Sequence, residues 1–255
     1  MVAMSTKLLA SNLLQGERAL VTGCAGGIGR GVARALLAEG ARVLGSDITA
    51  PAAQDGIDFL AANLAKRDGW KTLFDAAVAR LGTISLFVHA ASPRRQEVDT
   101  ALSVTEATWD AMTDVNLRSG FFLAREIGRH MREHKTRGRI LLITSMHRET
   151  PRNLPHYSAS KAGMTMVMKE LARVLAPDGI RVNAIAPGAI PGGGFVAGNL
   201  AELVAQIPIG RAGTPDDIAQ VAVAVLSERF GRYMVGTTVE VDGGMGLQSW
   251  IPAKA

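Results

Sequence analysis

The sequence has a single cysteine, no long apolar run and no block of like charge. Cys24, being alone, excludes an internal disulfide framework and suits a reducing compartment. No stretch approaches the roughly 18 apolar residues of a membrane-spanning helix, so no membrane partner is expected. Lys and Arg number 28 against 23 Asp and Glu, a formal charge of +5 spread along the chain. That distribution argues against nucleic acid as a partner and suits an anionic small molecule. Internal repeats and low-complexity segments are also lacking, and no metal site is expected. The opening text, M-V-A-M-S-T-K-L-L-A-S-N-L-L-Q-G, has one lysine and a short apolar piece, which makes a poor signal peptide. Residues 1–15 therefore read as a tail, residues 16–255 as one domain, and the protein as cytoplasmic.

What is present is an alternation of β-type apolar runs with longer helical patterns, the signature of βαβ units and a parallel sheet. Strands are predicted at Arg18–Thr22, Arg42–Ser46, Ile57–Leu60, Ile84–His89, Arg139–Thr144, Ile180–Ile185 and Thr237–Val241. Ile140–Ile143 is wholly apolar, as suits a strand buried on both faces. Helical spacing covers Gly27–Glu39, Lys66–Leu81, Glu106–His134 (with a break at Asn116–Gly120), Tyr157–Leu175 and Thr214–Leu226. Gly40 and Gly82 stop the first two. Thr214 is placed to cap the last, with Pro215 at its first position and Asp216 and Asp217 in its first turn. Pro187–Gly198, rich in Gly and Pro, reads as a loop. Right-handed crossovers then give an α/β fold with an open, doubly wound sheet.

Two places carry chemistry. The first strand runs into T-G-C-A-G-G-I-G, Thr22 to Gly29, and then a helix. Glycines there let the backbone turn tightly and approach a pyrophosphate, while the helix N-terminus offers free N–H groups. At the end of the second strand, Asp47 can bond both ribose hydroxyls of NAD and repels a 2′-phosphate. No basic residue follows it directly, so NAD is expected over NADP. The second place is Ser145 to Lys161, S-M-H-R-E-T-P-R-N-L-P-H-Y-S-A-S-K. If Tyr157 starts a helix, Lys161 lies one turn along the same face. An ammonium beside a phenol favours the phenolate, and such a phenol can exchange a proton with an alcohol or ketone. A bare Y-x-x-x-K is most often an ordinary surface pair; its company here is what changes the reading.

T-G-x-x-x-G-I-G followed by Y-S-A-S-K resembles the short-chain dehydrogenase/reductase family, from about Arg18 to Met245. The resemblance implies a single Rossmann-type domain with a seven-stranded parallel sheet, helices on both faces, and assembly as a homodimer or homotetramer. It places the family's catalytic set on Asn116, Ser145, Tyr157 and Lys161. Asn116, in D-V-N-L, would hold a water on the proton path, and Ser145 would hold the substrate oxygen. Tyr157 would be the general acid or base, and Lys161 would tune it and bond the nicotinamide ribose. Cofactor contacts are implied for Gly23, Cys24, Gly27, Ile28, Gly29, Asp47, Asn63, Leu64, Ala90, Ala91, Tyr157, Lys161, Pro187, Gly188 and Ile190. Cys24 reads as a small loop residue and not a nucleophile. Arg211 and the run Val241-Asp242-Gly243-Gly244 read as structural or interface features.

Two departures stand out. The fourth strand ends His89-Ala90-Ala91-Ser92 where the family has N-N-A-G, so His89 is expected to replace the lost hydrogen bonds. Pro191-Gly192-Gly193-Gly194 replaces the usual segment beyond Pro187-Gly188. For the substrate, Ser145, His147, Arg94, Arg148, Arg152 and Tyr157 are the candidate contacts, with Ser92, Arg95 and His156 nearby. This polar, basic set suits a hydroxylated or anionic small molecule. The local text is most similar to the glucose 1-dehydrogenase branch, which implies a sugar, polyol or sugar acid. Text of the same kind occurs in 3-oxoacyl-carrier-protein reductases, the alternative reading. A non-catalytic NAD-binding sensor or scaffold is the alternative of another class, and the filled catalytic positions argue against it.

Overall fold

The computed structural model describes residues 12–51, 55–95, 99–192 and 200–247. The expected strands form β1 (Arg18–Thr22), β2 (Arg42–Asp47), β3 (Asp58–Ala61), β4 (Leu86–His89), β5 (Arg139–Ile143), β6 (Arg181–Pro187) and β7 (Thr238–Val241). They make one seven-stranded sheet in the order β3-β2-β1-β4-β5-β6-β7. Every pairing is parallel. The order reverses where β1 lies between β2 and β4, the switch point at which such sheets bind ligands beyond their C-terminal ends.

The apolar runs are continuous because the sheet is covered on both faces. In β5, Leu141 and Ile143 pack toward α1 (Gly27–Ala38) on one side, while Ile140 and Leu142 pack toward α2 (Gly69–Leu81) on the other. The pattern expected to give one long helix from Glu106 gives α3 (Glu106–Thr113), a π-helical turn at Asp114–Ser119, and α4 (Gly120–Glu133), so the break falls where the sequence placed it. Next come α5 (Pro155–Leu175) on the α2 side, a short α6 (Leu200–Ala205), α7 (Pro215–Leu226) against α1, and α8 (Glu228–Gly231). Helix α5 starts two residues before Tyr157, because Pro155 needs no N–H partner in a first turn. Thr214 caps α7 through a reciprocal bond with Asp217, and Arg211 pairs with that same carboxylate. Arg211 is thus structural here.

One expectation changes and one helix is new. Residues 12–15 are not a free tail: Leu14 is fully buried, and the Asn12 and Leu13 N–H groups each donate to Glu39 Oε2 at 3.0 Å. Helix α6 follows the Gly/Pro-rich loop. Residues 193–198 of that loop, like Trp250-Ile251-Pro252, lie outside the described residues. No helix among the described residues is long and apolar enough to cross a membrane.

Candidate active site

The C-terminal ends of β1, β2, β4, β5 and β6 open onto one cavity of about 770 Å³. Its near end is the glycine loop. Gly23 has φ +74°, and a Cβ there would meet the Ala90 backbone at 2.7 Å. A Cβ on Gly29 would lie 2.1 Å from the Gly23 carbonyl oxygen. The loop is therefore closed to side chains, as a backbone cradle must be. Helix α1 starts there with Gly26 as its N-cap, no side-chain cap and no acid in its first turn. Its uncapped N–H groups and positive dipole end suit a pyrophosphate. Asp47 sits alongside, held by N–H donors from Ala25 (3.0 Å) and Ile48 (2.7 Å). Asn63, Leu64, Ala90 and Ala91 complete this end, and Pro187, Gly188 and Ile190 line the other wall with Gly27 and Ile28. These residues fit a nicotinamide dinucleotide.

At the far end Ser145, Tyr157 and Lys161 face the same space. Ser145 Oγ accepts the His147 N–H at 3.2 Å, which leaves its own hydrogen free for another acceptor. Lys161 is buried and donates to the Ile143 carbonyl at 2.8 Å. Burial first, and then the charge of Arg95, push its amine down to about 7. The Lys161 Nζ lies 5.5 Å from the centre of the Tyr157 ring. Asn116 stands behind the cavity wall, in the π-helical turn. Its Nδ2 donates to Ser160 Oγ at 2.9 Å, and Ser160 donates to the Tyr157 carbonyl at 2.8 Å. Asn116 Oδ1 is buried with no hydrogen-bond partner, an acceptor suited to a water.

His89 explains how this turn is held. Its Nε2 faces the Val115 carbonyl at 3.2 Å, so that nitrogen carries the proton. Its Nδ1 then accepts from Thr22 Oγ1 at 2.9 Å, and Thr22 Oγ1 accepts the Ala91 N–H at 3.3 Å. Burial, and then the Lys161 charge, push the imidazole down to about 4, so it stays neutral. The ring lies against Gly120, where a Cβ would come within 2.8 Å of it. His89 thus supplies the cross-links expected of it and ties β1, β4 and the turn carrying Asn116 together.

Three expected contacts are placed otherwise. The Cys24 side chain is buried in the core against Gly45; only its backbone belongs to the loop, and burial and Asp47 push its thiol up to about 11. Arg148 does not line the cavity, because Glu149 and Glu240 hold its guanidinium. His156, expected on the substrate wall, is fully buried beside it. Arg94, Arg152 and His147 do line the cavity. Arg95 does more than its sequence suggested: its guanidinium sits over the Tyr157 ring, 4.5 Å from the centroid. Leu203 of α6 and Met245 also close the cavity. The apolar spacing of L-A-E-L-V-A could have marked α6; nothing in the text marked Met245.

A family model described as enoyl-(acyl carrier protein) reductase matches residues 23–246. The chain is 34% identical over 257 residues to 2-dehydro-3-deoxy-D-gluconate 5-dehydrogenase of Escherichia coli strain K12, covering 93% of this chain and 98% of that one. It is also 34% identical over 242 residues to the 3-oxoacyl-(acyl-carrier-protein) reductase of that organism, covering 91% and 98%. Among solved structures, 3-ketoacyl-(acyl-carrier-protein) reductase from Brucella melitensis complexed with NADH superposes with a TM-score of 0.82 at 29% identity, covering 91% of this chain and 99% of that one.

Proposed function

The chain belongs to the short-chain dehydrogenase/reductase family, and we propose that it interconverts a secondary alcohol and a ketone on a sugar, polyol or sugar acid, with NAD as cofactor. The observation that carries this is the meeting of Ser145, Tyr157 and Lys161 with the glycine loop in one cavity. When bound, the nicotinamide ring supplies the two-electron acceptor or donor, and the protein supplies placement and proton transfer. Gly23, Gly27, Ile28 and Gly29 would hold the pyrophosphate. Asp47 would hold the adenosine ribose, with Asn63, Leu64, Ala90 and Ala91 beside the adenosine. Pro187, Gly188 and Ile190 would line the nicotinamide.

Ser145 donates its free hydrogen to the substrate oxygen and fixes it near Tyr157. The Tyr157 hydroxyl takes the alcohol proton during oxidation and returns it during reduction. Lys161 in its protonated form, which burial confines to below about pH 7 in the free protein, favours the phenolate by simple attraction. Asn116 Oδ1 holds the water through which that proton reaches solvent. Asp47 selects NAD because its carboxylate, fixed by two N–H donors, repels a 2′-phosphate. Assembly as a homodimer or homotetramer through α4 and α5 rests on the family resemblance, and the exposed Met166 and Val174 give α5 apolar surface for it.

The relatives' names point two ways, to a sugar acid and to an acyl thioester. Steady-state rates on sugars, polyols and sugar acids against acetoacetyl thioesters, read by cofactor absorbance with NAD and NADP in parallel, test the proposal. Turnover of the hydroxylated compounds with NAD is expected. Turnover of thioesters alone would reject the sugar reading, and a preference for NADP would reject the role given to Asp47.

A further inference from the structure

Basic side chains gather at the substrate end of the cavity. Among the described residues Asp47 is the only acid lining it, and Asp47 sits at the glycine-loop end. Arg95 and Lys161 lie 4.5 and 5.5 Å from the centre of the Tyr157 ring, and Arg94 and Arg152 line the same cavity. The His147 ring meets the Tyr157 ring edge-on, with centroids 5.3 Å apart. Burial, then the charges of Arg95 and Arg152, push His147 down to about 4. Its imidazole is therefore neutral, and these side chains form one cluster over the reacting phenol.

Arg152 decides what the cluster is for. Its Nη2 is buried with no hydrogen-bond partner, and no carboxylate among the described residues pairs with it. Arg148, four positions earlier, also has a buried unmet Nε, but Glu149 and Glu240 balance its charge, as no carboxylate among the described residues does for Arg152. A buried lysine can shed its proton, but a guanidinium cannot. Arg152 keeps its charge, has one buried unmet donor and lines the cavity in which a ligand goes. Nδ1 of His147 is likewise buried and unmet.

Building on the oxidoreductase reading, we infer that Arg152 and its neighbours form a carboxylate subsite, and that the substrate is a small hydroxy or oxo acid. The acid group meets the Arg152 fork, with Arg94 adding charge. The carbon that is oxidised or reduced lies a few bonds away, over Ser145 and Tyr157. Neutral His147 bonds a neighbouring hydroxyl through Nδ1. The planar fork matches a planar carboxylate. A neutral polyol, or the uncharged reacting end of an acyl thioester, leaves the Arg152 donor unmet.

The test is a matched panel: 3-hydroxybutyrate against its methyl ester, and gluconate against glucose and glucose 6-phosphate. Each is assayed with NAD in the wild type, Arg152→Gln and Arg152→Lys. The wild type should prefer acid over neutral partner by about 10- to 100-fold in kcat/KM. Arg152→Gln should collapse that ratio, mainly through KM, and Arg152→Lys should recover part of it. Calorimetry on Tyr157→Phe with NADH reads acid binding without turnover, and adding Arg152→Gln should abolish it. Equal use of acids and neutral partners, or preference for the phosphate ester, would overturn the carboxylate subsite and leave the oxidoreductase reading standing. Absence of acid binding and of turnover would also overturn the subsite. Arg152-dependent acid binding with no turnover of any compound would support the subsite and overturn the oxidoreductase reading. If Arg152→Gln does not fold, the wild-type panel and Arg152→Lys decide.

Discussion

The two ends of strand β5 both handle buried positive charge, and they do so in opposite ways. At its start, Arg139 lies in register with Arg181 at the start of β6. Arg139 donates to Glu17 at 2.8 Å and to the Leu226 carbonyl at 2.9 Å. Arg181 donates to the Val225 and Ser227 carbonyls at 2.9 and 3.2 Å and approaches Glu228. These carbonyls close the C-terminal end of α7, where cations are favoured. At the other end of β5, Lys161 has one carbonyl, that of Ile143, and neither Lys161 nor Arg152 has a carboxylate partner among the described residues, whereas Arg181 reaches Glu228 even though its Nε is unmet. A buried cation met by carboxylates and helix ends is architecture. One without a carboxylate on a cavity wall is, on our proposal, a place for a ligand.

The comparison can be broken by four measurements, the largest effect first. Burial depresses the Lys161 amine from 10.5 to about 7. Between those pH values the unfolded chain binds the proton and the folded protein does not, so stability from this site rises with pH. Melting curves of wild type and Lys161→Met should therefore diverge in the wild type's favour by up to about 1.4 kcal/mol per pH unit across that window. A flat difference would mean that Lys161 is charged and compensated in the free protein. Arg139→Met strands Glu17 and a helix end, and should cost about 3–5 kcal/mol in denaturant unfolding while leaving kcat/KM of the folded protein nearly unchanged. A loss of activity without loss of stability would put the floor of the sheet into the mechanism.

His89→Ala lies between these cases, since His89 is buried polar architecture that ends on the turn of Asn116. It should cost about 1–3 kcal/mol of stability and lower kcat more than it weakens NADH binding. An effect on stability alone would make His89 a simple cross-link. The smallest effect is expected at Cys24, whose thiol burial pushes up. A maleimide should leave the native protein unlabelled, and Cys24→Ala should keep its activity within about twofold. Rapid labelling would show the glycine loop opening onto the core.

The sheet order and most helices were legible, because fully apolar strands and glycine stops leave little freedom. That Ser145, Tyr157 and Lys161 would share a cavity with the glycine loop was legible because their residue types and order are rare together. Side-chain direction was not. Arg148 and Arg152 look alike in the text, yet Glu240, a strand end 92 positions away, claims only the first. His156 reads as a pocket residue from its place beside Tyr157, but its neighbour on a helix faces a different way. Leu14 reads as tail because a short apolar piece carries no period, and only Glu39 and the core show why it is fixed.

The most direct test of the central claim is Tyr157→Phe, assayed with whichever alcohol the wild type oxidises. Turnover should fall by about 100- to 10,000-fold, while calorimetry shows NADH binding unchanged. Turnover at the wild-type rate, with the cofactor bound as tightly, would contradict the proposal that Tyr157 moves the proton.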